Sequence, residues 1–589
     1  MLVSVGDREY TSWHIQDEAG NIIITNHTSR TDVEKYIHPL DNRLFHGDII
    51  SINNDKQINI IESKTRSEGY IAGVLLLENN KTYGRTENKK KLLYRCIPDN
   101  KRLPAFLIPY EMSVGFLKQF TNKYIVFKFH HWNDKHPRGI ITETIGDVSN
   151  LSSYYEYRLY CKNLHLSITS FTKKVHHTQL TNTEDEKINC IINNPKYCIE
   201  DREHRRIISI DPQGSLDIDD AIGIEPIISD FQTGWIVSVY IANVYVWMEE
   251  LTLWEHLSSR VSTIYLPDGK RSMLPKTLSE NLCSLIQNKR RIVFTIDIPI
   301  DMDGQIDHSK IRFLNTSISV SRNYVYEDDS LVNKESVYKL LFPLTQRMNP
   351  QVANSHELVE HWMLYMNVLT GQTMANLKCG IFRKMAFIND ERLVNINATD
   401  DVSRVLRLWN NVRGGYVKYS ETDNIQHQLI NASINRIGFD HPYYVHITSP
   451  IRRLVDLLNQ IIITHSLRLC QDTSNSANDF LDKWLDAMDT INSHMKSIRK
   501  IQHECELLSR CVMDESVQAN LHPGYIVDCK QLEDNGLYKY TVYLADLKLF
   551  GRVRADKLCD KYSKQQFAIY LFHDSDTIVQ KIRIQFAVL

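Results

Sequence analysis

The apolar positions of this chain change their period along its length. Up to about residue 168 they come in short runs broken by turn residues, as in Asn21–Thr25, Gly47–Ile52, Gly69–Leu76 and Lys91–Arg95. Runs of that length at close spacing predict small β-barrels, one over residues 1–65 and a second over 66–168. Residues 169–206, with the polar run Thr181–Lys187, read as a connection containing some helix. Residues 207–515 mix both periods. Trp235–Val244 is a continuous apolar run of the buried-strand kind. From Ser355 the residues Leu358, Trp362, Tyr365 and Leu369 fall at helical spacing and predict a buried helix to about Leu377. A polar loop, Gln471–Asp479, precedes a long amphipathic helix marked by Leu481, Trp484, Leu485, Met488, Ile491, Met495 and Ile498. Residues 520–589 return to strands (Gly524–Val527, Tyr538–Leu544, Gly551–Arg554) and predict a further barrel. No repeat of solenoid period is evident.

A length of 589 residues suits about four domains at ~150 residues each. A hydrophobic share of 42% with 10% aromatic residues is ample for packed cores. The 11 cysteines are scattered without CxxC or Cys/His spacing, which suits thiols in a reducing compartment. Met1–Arg8 lacks the basic-then-apolar order of a signal peptide, and no run approaches the ~18 apolar residues of a membrane span. The expectation is a soluble intracellular protein with no membrane partner, in the cytoplasm first, with the nucleus or an organelle as alternatives. The net charge of −2 gives no overall basic footprint, so any nucleic-acid path would have to be a local channel.

The densest chemistry lies in Ser209-Ile210-Asp211-Pro212-Gln213-Gly214-Ser215-Leu216-Asp217-Ile218-Asp219-Asp220. Asp211, Asp217, Asp219 and Asp220 repel one another unless a cation compensates them, and carboxylate oxygens suit hard divalent ions such as Mg²⁺ or Mn²⁺. An EF-hand loop is excluded. With Asp217 as its first position, the required Gly and Glu are replaced by Ile222 and Ile228. The remaining reading is a metal–carboxylate site of the kind used in phosphodiester hydrolysis. If residues 217–219 are extended, Asp217 and Asp219 point one way and Asp220 the other. Asp220 then needs a local bend to join them, or it orients water from behind.

The Ile-Asp-(five residues)-Asp-Ile-Asp-Asp pattern resembles the first motif of the ribonuclease II (RNB) family, with Ser-Ile-Asp-Pro closest to its eukaryotic exosome-type, ribonuclease R-like branch. Further segments resemble the same family in the same order. Asn42–Asp48, Ile97–Pro104, Pro137–Gly139 and Gly146-Asp147 are similar to parts of its two cold-shock-type barrels. Tyr265-Leu266-Pro267-Asp268, Met273-Leu274-Pro275 and Leu278–Leu285 follow a continuous signature. Tyr326-Glu327 is similar to a family helix start. Tyr444–Leu458, with Ser449-Pro450-Ile451-Arg452-Arg453, is nearly identical to its most specific motif. Here Ser449 reads as an N-cap and Pro450 as the first helical residue, which would project Arg452 and Arg453 from a helix N-terminus that attracts anions.

The resemblance implies a multidomain α+β protein, with OB-fold barrels flanking a central mixed α/β RNB catalytic domain. It implies a processive, hydrolytic 3′→5′ exoribonuclease that degrades single-stranded RNA to nucleoside 5′-monophosphates. Asp211, Asp217, Asp219 and Asp220 would hold Mg²⁺ or Mn²⁺, and Arg452 would bind the scissile phosphate. Tyr265 and Tyr326 would pack on bases, and Arg453, Glu360 and Glu504 would contact RNA. Without a PIN domain, attachment to an exosome is not expected, and a monomer is the simpler picture.

Tyr240, Asn243, His361, Leu454 and Gln460 depart from the family pattern. Of these, Tyr240, Asn243 and Leu454 leave a catalytically impaired RNA-binding scaffold as the alternative; a DNA-directed or structure-specific nuclease is a third, separable by dependence on the ribose 2′-OH. Arg85, Lys89, Lys90, Lys91 and Arg95 with Tyr83 and Tyr94 suit either RNA contacts or a solvated basic face. Lys289, Arg290 and Arg291 leave the same two options.

Overall fold

A computed structural model describes residues 1–589 apart from 26–36, 54–56, 68, 112–119, 180–182, 230–231, 384–401, 404, 407–413, 421–442, 533–535, 575, 577 and 588–589. The first two residues of the polar run Thr181–Lys187 thus lie outside the described residues. The chain divides into two units, one of residues 1–165, 266–268 and 500–589, the other of 166–265 and 269–499. No described helix is long and apolar enough to cross a membrane.

In the first unit, strands Leu2–Val5, Trp13–Gln16, Ile22–Thr25, Ile49–Ile52 and Ile58–Glu62 form a five-stranded sheet that is open among the described residues. Alternation sends Val3, Val5, Trp13 and Ile15 inward. Strands Ile71–Leu75, Leu92–Pro98, Phe106–Tyr110, Lys123–His131 and Arg138–Asp147 close a barrel. Sheet and barrel share one core through Phe45, whose ring lies 5.9 Å from Phe106, 5.5 Å from Phe129 and 4.9 Å from Trp132. A second closed barrel spans His522–Gln531, Tyr538–Leu544, Leu549–Ala555, Lys564–Asp574 and Val579–Phe586. The architecture is therefore mixed α+β with barrels, as expected.

The basic stretch of the first closed barrel divides between the two readings. Arg85, Lys89, Lys90 and Lys91 are exposed. Tyr94, however, is wholly buried, and its hydroxyl donates to Asn80 at 3.2 Å, so it offers no stacking face.

The second unit is built on a seven-stranded sheet in the order Ile199–Asp201, Arg312–Ser319, Arg290–Asp301, Gln232–Ala242, Asp220–Ser229, Ile207–Asp211, Arg322–Val325. Its inner pairs are antiparallel, and both edge pairs are parallel. The predicted apolar strand stops at Ala242. Asn243 instead caps helix Val244–Glu250, accepting from the Val246 N–H and donating to Asn315 at 2.9 Å. Arg291 is fully buried, donating to the Ser284 carbonyl at 2.7 Å and Glu184 at 2.6 Å, so it lines no RNA path.

Helix Ser355–Asn376, capped by Asn354, buries Leu358, Trp362, Tyr365 and Leu369, as its periodicity predicts. The predicted single C-terminal helix is two, Asn475–Asp486 and Met488–Met513, separated at Ala487. The first starts inside the predicted loop because Ser474 caps it, accepting from the Ala477 N–H at 3.2 Å.

The edge that carries the acidic loop is anchored by Glu335, which is 1% exposed. Its carboxylate accepts two bonds from Arg206 (2.7 and 2.9 Å), one from the Tyr324 hydroxyl (2.6 Å) and one from the Val337 N–H (3.2 Å). Arg206 immediately precedes strand Ile207–Asp211, and Tyr324 lies in the strand beside it. Burial pushes the Glu335 pKa up, but these donors outweigh it and hold it at about 2. Because the folded-state value lies below the unfolded one, the contribution is complete above about pH 4.5 and is lost as pH falls toward 2. Glu335→Gln should cost on the order of 2 kcal/mol at pH 7, after allowing for screening at the exposed arginine. Urea unfolding across pH should show the difference from the unsubstituted protein shrinking below pH 4.5; a constant difference would exclude this origin.

Candidate active site

The acidic loop exists because two neighbouring strands end and begin at its aspartates. Ile207, Ile208 and Ile210 are buried in the strand that ends at Asp211, and Pro212, which has no N–H, follows it. Gly214, at φ +82°, permits the turn closed by the Ser215 N–H on the Pro212 carbonyl at 3.2 Å. The far side of the loop is pinned at Ile218. Its N–H donates to the Ser284 hydroxyl (3.1 Å), and its carbonyl accepts from the Leu285 N–H (3.0 Å). Asp220 then opens the next strand, paired with Ile241. Asp211 and Asp220 therefore come from adjacent strands.

The four carboxylates have different partners. Asp217 accepts from Lys270 Nζ at 2.8 Å, and the same ammonium meets Glu280 at 3.0 Å. Asp219, 3% exposed, accepts from the Ile451 N–H at 2.9 Å and from Arg452 Nε at 3.2 Å. Burial raises its pKa to about 7, against the pull of Arg452. Asp211 keeps a buried Oδ2 with no hydrogen-bond partner, and burial together with the Asp217 charge raises its pKa. Asp220 is raised well above the usual carboxylate range by burial and by the charges of Asp211 and Asp219. Asp220 thus lies within electrostatic reach of Asp211 and Asp219 despite the alternation of the strand.

In donor type this set fits a hard divalent cation: all the donors are oxygen, mutual repulsion is strong, and the orphaned Asp211 Oδ2 is available. Among the described residues no three such groups converge on one point. Lys270 and Arg452 hold Asp217 and Asp219 instead. The residues fit the ion, and full ligation would require those cations to yield.

Arg452 does not leave a helix N-terminus, which corrects the expectation for Ser449-Pro450. Ser449–Arg453 is a turn closed by the Arg453 N–H on the Ser449 carbonyl at 3.0 Å, and the helix begins at Leu454. The reason is tertiary. The Arg452 carbonyl accepts the Thr263 N–H at 2.9 Å, and the Leu454 N–H donates to the Val261 carbonyl at 3.0 Å, fixing 452–454 against another segment. Asp456, wholly buried, accepts from the Ser449 N–H and from Arg453, both at 2.8 Å. The Ser449 hydroxyl in turn accepts from Arg452 at 3.0 Å. Asp456 therefore positions Arg452 through Ser449, while Arg453 is committed to Asp456.

Tyr265 is 43% exposed and lies within reach of the charges of Asp217, Asp219, Arg452 and Lys270. Tyr326 lies within reach of Asp220, Asp211, Arg452 and Glu360, with its ring 4.9 Å from that of His356. It precedes the helix Asp329–Lys334 and is held by Glu327, which accepts the N–H of Ser355 at 2.6 Å. Glu504 belongs to the other unit, where Arg158 at 3.1 Å and Lys500 at 3.7 Å engage it.

The sequence departures sit in packing positions. Tyr240 is buried, with Ser238, Arg205, Arg202 and Asp297 as its polar surroundings. Leu454 is buried, and Gln460 bonds the Tyr245 N–H and the Ala242 carbonyl. Buried His361 packs against Trp362 and Tyr365.

Lys270, Glu280 and Asp456 were not singled out from sequence. Asp456 carried one signal, its position three residues after Arg453. Lys270 carried none, since its partner lies 53 residues away.

The RNB domain family matches residues 199–339 and 332–469, and the Dis3-like cold-shock domain 2 (CSD2) family matches residues 93–157. Residues 199–469 of the chain thus match the RNB domain. Among curated proteins, the Exoribonuclease 2 of Haemophilus ducreyi is 38% identical over 109 residues, 18% of this chain and 16% of that protein. The Exoribonuclease 2 of Psychromonas ingrahamii is 23% identical over 472 residues, 69% of this chain and 66% of that protein. The match thus spans less than two thirds of either relative. Among solved structures, Mycoplasma genitalium RNase R in complex with ribose methylated single-stranded RNA gives a TM-score of 0.66 at 16% identity, covering 99% of both chains. Yeast Ssd1, a pseudonuclease, gives 0.56 at 13% identity, covering 97% of this chain and 81% of that one.

The turn that presents Arg452 yields a direct prediction. Asp456→Ala leaves the Ser449 N–H and Arg453 without their acceptor, and should cost about 2–3 kcal/mol in urea unfolding. Asp456→Asn, which can still accept from Ser449, should lose less; equal losses would argue against the positioning role.

Proposed function

We propose that this protein is a hydrolytic 3′→5′ exoribonuclease that processively degrades single-stranded RNA to nucleoside 5′-monophosphates. The observation that carries the reading is the Asp219–Arg452 contact, which joins the acidic loop to the basic turn 233 residues away. It brings a carboxylate cluster and a phosphate-binding guanidinium to one place, the two parts that phosphodiester hydrolysis needs. The names of the curated relatives and the RNA-bound RNase R neighbour support the same activity and substrate.

In this reading Asp211 and Asp220, with Asp217 and Asp219, would hold Mg²⁺ or Mn²⁺, which supplies a water of lowered pKa and positive charge for the leaving oxygen. Arg452 keeps donors beyond its bonds to Asp219 and Ser449, and its side chain is 43% exposed, so it can take a phosphate oxygen while tethered. Tyr265 offers an exposed ring on which any base stacks. Tyr326, within electrostatic reach of Asp220, Asp211 and Glu360, would together with Glu360 contact the terminal nucleotide.

One observation favours a second reading, an RNA-binding scaffold without turnover. Lys270 and Arg452 already satisfy two of the four aspartates, and a pseudonuclease shares the fold. A 5′-labelled single-stranded RNA incubated with protein and Mg²⁺ separates the two. The expected result is a ladder shortening from the 3′ end, abolished by EDTA and slowed about 10²-fold or more by Asp219→Asn. Tyr265→Ala should weaken RNA binding by about 1–3 kcal/mol. Binding without cleavage under Mg²⁺ and Mn²⁺ would favour the scaffold.

A further inference from the structure

Lys270 stands at a branch point. Its ammonium is 2.8 Å from Asp217 Oδ1 and 3.0 Å from Glu280 Oε1, with the three side chains 20%, 12% and 18% exposed respectively. Lys270 is carried by the short strand Gly269–Arg271, and Glu280 by the helical turn Thr277–Leu282. Lys270 therefore reaches Asp217, and Glu280 reaches Lys270, from outside the acidic loop. An ammonium with two carboxylate partners can leave one and keep the other, so abandoning Asp217 costs it one contact and leaves no buried, unpaired charge. Asp217 cannot serve both cations at full strength, because a divalent ion on its oxygens would repel an ammonium at hydrogen-bond distance.

We propose that Lys270 is a built-in cation that competes with the divalent metal for Asp217, and that Glu280 is the carboxylate that receives Lys270 when the metal takes its place. The inference rests on the metal-assisted reading above. It deepens that reading by assigning two residues that set how readily the site loads. The lysine keeps the acidic loop neutralised when no metal is bound, and the glutamate lowers the cost of giving that contact up. Without Glu280 the lysine would cling to Asp217; without Lys270 the carboxylate would be open.

The two substitutions should therefore act in opposite directions. Mn²⁺ binding to the RNA-free full chain, followed by the loss of the free-ion paramagnetic resonance signal, reads this without turnover. Lys270→Met should tighten Mn²⁺ binding, and Glu280→Gln should weaken it, each by about five- to tenfold. In the Lys270→Met background, Glu280→Gln should have little further effect, because the glutamate acts through the lysine. Unchanged or weaker binding in Lys270→Met overturns the inference. So does a Glu280→Gln effect that persists without the lysine, which would make Glu280 a ligand in its own right. Lys270→Gln serves in place of Lys270→Met should the latter not fold. Asp220→Asn is the control. If the unsubstituted protein binds no Mn²⁺ saturably, the metal reading fails and the inference with it. If binding is saturable and lost in Asp220→Asn yet indifferent to Lys270, only the role of the lysine falls.

Discussion

One buried carboxylate holds the candidate site together. Asp219 closes the acidic loop at one end and receives the Ile451 N–H and Arg452 Nε at the other, across more than 230 residues of chain. The two motifs depend on each other for physical reasons. Burial alone would drive Asp219 toward its neutral form, and Arg452 works against that. Arg452, half-exposed, would in turn be left with the Ser449 hydroxyl as its hold without Asp219. Neither the loop nor the turn satisfies its polar groups by itself, so each is ordered by the other on a sheet that supplies rigid ends for both.

Charge balance explains the rest of the arrangement. Asp217 has Lys270, Asp219 has Arg452, and Asp456 has Arg453. Asp211 and Asp220 are left facing each other from adjacent strands, and each raises the cost of ionising the cluster. A mobile cation gains most where fixed cations are absent. The pair at the strand ends is therefore where a divalent ion would be most strongly attracted, and the two lateral aspartates are where it would meet competition.

Much of this was legible in the sequence where local rules and tertiary structure agree. Helix Ser355–Asn376 follows its apolar period to within a residue, because Leu358, Trp362, Tyr365 and Leu369 at that spacing are all buried. The placing of the four aspartates on one loop between neighbouring strands followed from their spacing, whereas among the described residues no three converge on one point. Three of the failures share a cause: a partner that the local pattern does not show. Ser449-Pro450 has the form of a helix start, but Val261 and Thr263 take the backbone groups that would have begun the helix. Tyr94 and Arg291 look like surface RNA contacts until Asn80, Ser284 and Glu184 are seen to claim them. The break at Ala487 carries no Gly or Pro, so nothing in the periodicity announced it.

The two tyrosines bound the chemistry that recognition can use. Burial, together with Asp217 beside Tyr265 and with Asp220 and Asp211 beside Tyr326, pushes both phenols up. They are therefore neutral across the working range of a carboxylate site. A neutral phenol ring beside an acidic cluster offers a π-face and one hydroxyl donor, and that face accepts every base alike. Discrimination between nucleic acids cannot then come from these rings. In the proposed reading it would come from groups that reach sugar or phosphate, with Glu360, within electrostatic reach of Tyr326 on the Ser355–Asn376 helix, proposed for that task.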